Sequence, residues 1–292
     1  MTDVYMPRTI KRRRRTKAEM QTICDAIYHA LETDHPQSIR HVFYQLVGPP
    51  YNLVPKDQNQ GYRPIQRKML DMRRAGELAW DWVSDGTRWR RQRLTFDSAA
   101  EAVRHIAETY RRDLWRRTPV YCEVWCESDS MAGVIVQETD RYGVSLMVSR
   151  GFSSDSYLYE AADDIKQQDR PAYLYYVGDW DPSGKIIPEV IERRLRDFAP
   201  GCEIHFTRLL VTPEQIETWN LPTKPAKDTS HSRNFSGGTV EAEAIPAHIT
   251  RKLIREAIEK HLDLREVRVM QVAEASEMKC LEVIANALEN AA

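Results

Sequence analysis

The sequence predicts an α/β protein in two parts, a basic helix-rich N-terminal domain and then a parallel α/β domain closed by two C-terminal helices. Three observations predict it. Between residues 120 and 209, short β-branched and aromatic runs alternate with amphipathic stretches, as repeated strand–helix–strand units do. Before that, helical patterns are broken by Pro36 and by Gly48-Pro49-Pro50. Charge also divides: residues 1–120 carry 23 Lys and Arg against 14 Asp and Glu, net +9, and the remainder carries 19 against 29, net −10. A basic part beside an acidic part suits a domain that grips a polyanion joined to one that gathers cations. Scatter between two surfaces is the competing reading, but the basic residues cluster where helices are expected.

The 292 residues suffice for two modest domains and a sizeable core. No apolar run approaches the ~20 residues of a membrane span. Residues 1–7 lack an apolar signal core, so export is not expected and a cytoplasmic location is. Five cysteines, odd in number and without a CxxC pair, point to a reducing compartment and no zinc site.

Residues 1–16 form a basic arm with Lys11-Arg12-Arg13-Arg14-Arg15, suited to phosphates or simply solvated. Residues 17–33 read as a helix with Met20, Ile23, Cys24, Ile27 and Leu31 on one face. Ser38 caps a second helix over 39–47. A third, over about 64–74, brings Arg63, Arg67, Lys68, Arg73 and Arg74 around Ile65, Met69 and Met72, and Gly76 stops it. Trp80-Asp81-Trp82-Val83-Ser84-Asp85-Gly86 reads as a short strand and turn. Helix, helix, basic helix and β-wing is the order of a winged helix-turn-helix over residues 17–96, with the third helix offered to a DNA groove. A small bundle solubilised by arginines is the alternative.

Residues 97–117 are expected to be a connecting helix, and 118–292 the second domain. There the expected strands are 120–126, 144–148, 172–177 and 203–209, alternating with helices over 130–142, 154–166 and 185–198. Residues 220–238 form a polar loop, and helices over 246–262 and 265–290 close the chain.

In open parallel sheets, ligands gather beyond the carboxyl ends of the strands. Gly178-Asp179-Trp180-Asp181-Pro182-Ser183-Gly184 begins at that end of the third strand. Its two carboxylates share a side while the chain stays extended, and the Pro-Ser-Gly turn bends it beside them. Glu127 follows the first strand. Clustered carboxylate oxygens are what Mg²⁺ needs, so Glu127, Asp179 and Asp181 are the candidate metal ligands. Glu123 is a rival by period 2, but it lies mid-strand. Asp129 is a candidate helix cap.

Ile39, Val42, Phe43 and Leu46 make an apolar stripe on the second helix. Arg40 and Tyr44 lie off it and adjacent to each other, so Tyr44 is expected to be displayed beside a cation. The arginine favours the phenolate and can hold a phosphate. An interfacial tyrosine with its hydroxyl in water is the competing reading.

The glutamate after the first strand and the Asp-x-Asp after the third resemble the toprim domain, a metal-binding fold of topoisomerases, primases and some nucleases, over residues 118–210. Ser38-Ile39-Arg40-His41-Val42-Phe43-Tyr44-Gln45-Leu46 resembles the helix bearing the active tyrosine in the topoisomerase VI A subunit and the related meiotic double-strand-break protein. There a winged-helix domain with an Arg and, four residues later, a Tyr precedes a toprim domain. Val240-Glu241-Ala242-Glu243-Ala244-Ile245 resembles a short motif near that family's C-terminal region, and a surface strand with alternating acids reads the same way.

The resemblance implies a DNA transesterase. Tyr44 attacks a backbone phosphate and stays linked to the 5′ end, Arg40 supports the non-bridging oxygens, and Glu127, Asp179 and Asp181 hold Mg²⁺ or Mn²⁺. It implies double-stranded DNA held by Arg63, Arg67, Lys68, Arg73 and Arg74, and a nucleoid-associated location. It also implies a homodimer in which one chain's tyrosine meets the other's metal site. The family's ATPase is a separate B subunit, and no Gly-rich phosphate loop occurs here, so strand passage is not expected of this chain alone. Two alternatives stand beside it: a toprim-type metal-dependent nuclease using water, and a non-catalytic DNA-binding protein of a mobile element.

Overall fold

In the computed structural model, which describes residues 15–83, 93–225, 235 and 237–291, three helices come first. Helix α1 (Lys17–Thr33) starts at a reciprocal cap: Thr16 accepts from the Glu19 N–H and Glu19 from the Thr16 N–H. Helix α2 (Ile39–Val47) is capped by Ser38 and ends at Gly48. A single π-helical turn (Gln58–Tyr62), capped by Asp57, runs into α3 (Arg63–Arg74). Ile23, Ile27 and Leu31 of α1, Val42, Phe43 and Leu46 of α2, and Ile65 and Met69 of α3 form one buried cluster. Burying each of these contributes about 1.5–3 kcal/mol, enough to hold three short helices together.

The expected strand after α3 is not formed. Trp80–Trp82 is a 3-10 turn, and Val83 makes only an isolated parallel bridge to Gln37. The tryptophans have other partners: Arg73 stacks 4.1 Å from the Trp80 ring centre and donates to its carbonyl, and Trp82 stacks on His35 at 4.9 Å. The rest of the expected wing, Ser84 to Gly86, lies outside the described residues, as does the basic arm except Arg15.

The connecting helix is shorter than its sequence pattern suggests. Helix α4 (Ala99–Thr109) ends because the following chain is drawn sideways onto a distant helix: Tyr110 donates to Glu277, and the Arg112 N–H donates to Glu274.

The second domain follows the expected alternation: β1 (Tyr121–Cys126), α5 (Asp129–Tyr142), β2 (Ser145–Val148), α6 (Asp155–Gln168), β3 (Ala172–Val177), α7 (Pro182–Phe198) and β4 (Ile204–Leu210). The four strands are parallel in the order β2-β1-β3-β4. Cys122, Val124 and Cys126 face a core with α5 and α9 (Ala247–Glu259), while Trp125 faces one with α6 and α7. A sheet covered on both faces explains why its strands read as continuous apolar runs.

Four features depart from expectation. Helix α7 begins three residues early, because Asp181 is its cap and Pro182 its first residue, so Pro-Ser-Gly is a helical turn and not a bend. Ser128, not Asp129, caps α5. The stretch after β4 holds a short helix, α8 (Pro213–Thr218), and a two-residue ladder of β5 (Lys224–Pro225) with β6 (Gly238–Thr239). A 3-10 turn (Ala242–Ala244) then leads to α9 and to the long α10 (Leu264–Asn290). Among the described residues no helix is long and apolar enough to cross a membrane.

Candidate functional site

The chain leaves β1 toward β2 on one side and returns from β2 to β3 on the other, so the order reverses between β1 and β3. That is the crevice where parallel sheets place ligands. Glu127 and Asp179 follow the two strands that border it. The Glu127 N–H donates to the Val177 carbonyl at 3.0 Å, and Glu127 accepts from the Tyr176 hydroxyl and the Asp179 N–H, both at 3.3 Å. A Cβ at 178 would come within 2.7 Å of the Tyr176 ring and 2.8 Å of the Glu127 carboxylate, so any larger residue displaces these two side chains.

Asp181 follows two residues later but is committed to α7, accepting from the Gly184 N–H at 2.6 Å. Asp179 accepts from the Ala242 N–H at 2.8 Å. Burial, then the nearby carboxylates Glu243 and Glu127, push Asp179 well above the usual carboxylate range. Burial also raises Glu127, with Asp181 adding to it. These acids therefore converge electrostatically. Among the described residues, though, no three His, Cys, Asp or Glu side chains stand close enough together to hold a metal ion as placed. Glu123 is not part of the site: it is buried mid-strand and accepts from Tyr121 and Trp125.

Three residues outside the predicted site build this edge. Arg208 of β4 donates to the carbonyls of Val211 (2.6 Å), Gly184 (2.8 Å), Gly178 (3.1 Å) and Asp179 (2.5 Å), and it lies between the Tyr176 and Trp180 rings. A cation in an otherwise ordinary strand was the one available signal. Glu243 is buried and accepts from Ser130. Glu241 lies two residues before it, in the acidic alternation already noted.

The Glu241–Glu243 segment joins the two domains. Val240 exchanges both backbone hydrogen bonds with Trp180, at 2.8 and 2.9 Å, while Ala244 packs against the N-terminal core. Arg40 pairs with Glu241 at 2.5 Å, and the Lys224 ammonium pairs with its other oxygen at 2.7 Å. Arg40, Tyr44 and the acids at the sheet edge are thus brought together within one chain.

Tyr44 is not displayed. It is 4% exposed, because the turn Ala242–Ala244 covers the side of α2 that the apolar stripe leaves free. Its hydroxyl makes no well-formed hydrogen bond, and the Lys56 and Lys224 ammoniums lie 5.2 and 5.9 Å from its ring centre. Burial, then Glu241, push its pKa far above the ordinary phenol, outweighing the opposing effect of Arg40. The expected phenolate-favouring environment is therefore not the one found. On α3, Arg63, Arg67 and Arg74 are exposed and Lys68 is part-buried, whereas Arg73 is engaged with Trp80.

No protein-family model matches this chain, and no curated protein sequence matches it.

Proposed function

We propose that this chain is a Mg²⁺-dependent DNA transesterase resembling the topoisomerase VI A subunit, with a winged-helix-like N-terminal domain and a toprim-like second domain. The observation that carries this reading is the joining of the Arg40–Tyr44 helix to the acidic sheet edge: Arg40 pairs with Glu241, and the next residue's N–H donates to Asp179.

Duplex DNA lies against the basic side of α3, held through phosphates by Arg63, Arg67, Lys68 and Arg74, with Arg73 bracing the turn beside it. Arg40 holds the scissile phosphate as a fork of donors. The Tyr44 oxygen attacks phosphorus, the bond to the neighbouring deoxyribose oxygen breaks, and the phenol proton is lost to solvent while the leaving oxygen takes one up. The product is a phosphotyrosyl link at a 5′ end and a free hydroxyl.

The sheet edge offers carboxylate oxygen, the donor type a hard divalent cation takes, although no three of the described acids stand close enough to hold one without side-chain rearrangement. Glu127, Asp179 and Asp181 would hold Mg²⁺, which supplies charge neutralisation at the phosphate when bound. A homodimer serves to cut both strands. Strand passage requires a separate ATPase partner.

The burial of Tyr44 favours a second reading, a nuclease in which water attacks and the same acids suffice. One assay separates the two: supercoiled plasmid with protein and Mg²⁺, stopped in SDS, with and without protease, beside Tyr44→Phe. Cleaved DNA that stays protein-bound until proteolysis, absent with the variant, is the expected result. Unlinked cleavage that survives in the variant rejects the transesterase and leaves the nuclease.

A further inference from the structure

Three cations gather near Tyr44, two of them on a single acid. Arg40 and Lys224 each take one oxygen of the Glu241 carboxylate, at 2.5 and 2.7 Å. Lys56 stands on the same ring, its ammonium bonded to the Pro222 carbonyl. Beneath them the Tyr44 hydroxyl is buried and faces the same Glu241 carboxylate. The other acid lining this cleft, Asp57, is occupied with the Asn59 and Gln60 N–H groups.

We infer that Arg40, Lys56 and Lys224 form the seat for one DNA phosphate, and that Glu241 fills it as an internal stand-in until DNA displaces it. The inference rests on the DNA reading above but not on tyrosine chemistry. A carboxylate between a guanidinium and an ammonium presents two oxygens much as a phosphodiester presents its two non-bridging ones. The free space beside it is about 50 Å³, room for a few waters and not for a nucleotide, so entry requires displacement. Displacement is feasible. Lys224 and Gly238-Thr239, just before Glu241, belong to a ladder of two residue pairs, and the Glu241 side chain can swing while Val240 keeps its pairing to Trp180. With Glu241 in place, Arg40 is neutralised. With Glu241 out, Arg40 faces the phosphate. The same contact thus fixes the ligand class and keeps the free protein closed.

The test is binding of a fluorescein-labelled DNA duplex to the full chain in EDTA, where no cleavage interferes. Glu241→Gln removes the competing charge and two part-exposed ion pairs, so it should bind about tenfold more tightly than wild type at the same salt. Lys56→Gln and Lys224→Gln should each weaken binding severalfold, beyond the loss from Lys252→Gln on the exposed surface of α9. These two variants decide the matter if Glu241→Gln folds poorly. Equal or weaker binding by a folded Glu241→Gln, or losses at Lys56 and Lys224 no larger than at Lys252, overturns the inference. Loss of the covalent product with tighter binding intact would fall on the transesterase reading instead.

Discussion

Arg208 offers the sharpest energetic test, because a proline explains one of its bonds. Pro188 lies within α7 and has no N–H, so the Gly184 carbonyl four residues upstream lacks its usual helical donor. The Arg208 guanidinium supplies one at 2.8 Å. It does the same for Val211 and Asp179, whereas Gly178 also accepts from the Val211 N–H at 2.9 Å and keeps a partner without it. Arg208→Met retains the apolar stem and leaves three carbonyls without this donor. Hydrogen bonds from a charged donor contribute about 1.5–3 kcal/mol each, discounted here because the site is part-exposed and water replaces some of them. The two flanking rings add about 0.5–1 kcal/mol. A net loss of about 3–4 kcal/mol follows, read as a urea midpoint lowered by about 1 M at unchanged slope. Pro188→Ala restores an N–H aimed at the Gly184 carbonyl. In that background the Arg208→Met loss should shrink by about 1 kcal/mol, measured as a double-mutant cycle. A loss under about 1 kcal/mol, or no coupling to Pro188, would refute the argument that Arg208 anchors the strand-end loop by satisfying its carbonyls.

Further outcomes follow from the same reasoning. Glu123 is buried between Tyr121 and Trp125, and burial raises its pKa to about 7 from 4.5. The native state therefore favours the protonated acid, giving a contribution fully present below about pH 4.5 and lost as pH rises through 7. Glu123→Gln should remove this dependence and raise stability at pH 8 by roughly 2–4 kcal/mol in urea titrations. A variant less stable than wild type at pH 8 would contradict it. His41 is fully buried, and burial, then Arg251, lower its pKa to about 3. Its contribution is present above pH 6.5 and lost as pH falls toward 3, so His41→Gln should flatten that acid limb; an unchanged limb would reject the assignment. Gly184→Ala places a Cβ 2.2 Å from the Asp179 carbonyl oxygen, backbone that cannot swing away. It should cost at least about 3 kcal/mol in the same denaturation, and a near-neutral result would show the loop yields. Tyr44→Phe removes a hydroxyl without a well-formed hydrogen bond, so its melting temperature should stay within about 2 °C of wild type. A larger drop would show that the hydroxyl is structurally engaged.

The parallel sheet was legible because its strands are short, largely apolar runs of four to seven residues followed by capped helices, and periodicity reports such contrasts directly. The meeting of Glu127 and Asp179 followed from strand order alone. The burial of Tyr44 did not, since periodicity fixes the angle around α2 but not what packs there from about 200 residues away. The same limit hid Lys56 and Lys224, which reach Tyr44 only in three dimensions. Asp181 was read as a ligand alone, although an Asp before Pro-Ser-Gly is equally a helix cap. Arg208 left little trace because its partners are carbonyls, which every residue carries. The wing was expected from Trp80 and Trp82, whose aromatic rings suit strands but here serve stacking on Arg73 and His35.

The most direct measurement is mass spectrometry of the SDS-trapped reaction with duplex DNA and Mg²⁺, after nuclease trimming and proteolysis. A nucleotide-phosphate adduct on the peptide containing Tyr44, absent from Tyr44→Phe, is the expected result. Cleaved DNA with an unmodified Tyr44 peptide, or an adduct on another residue, would contradict the assignment of Tyr44 as nucleophile.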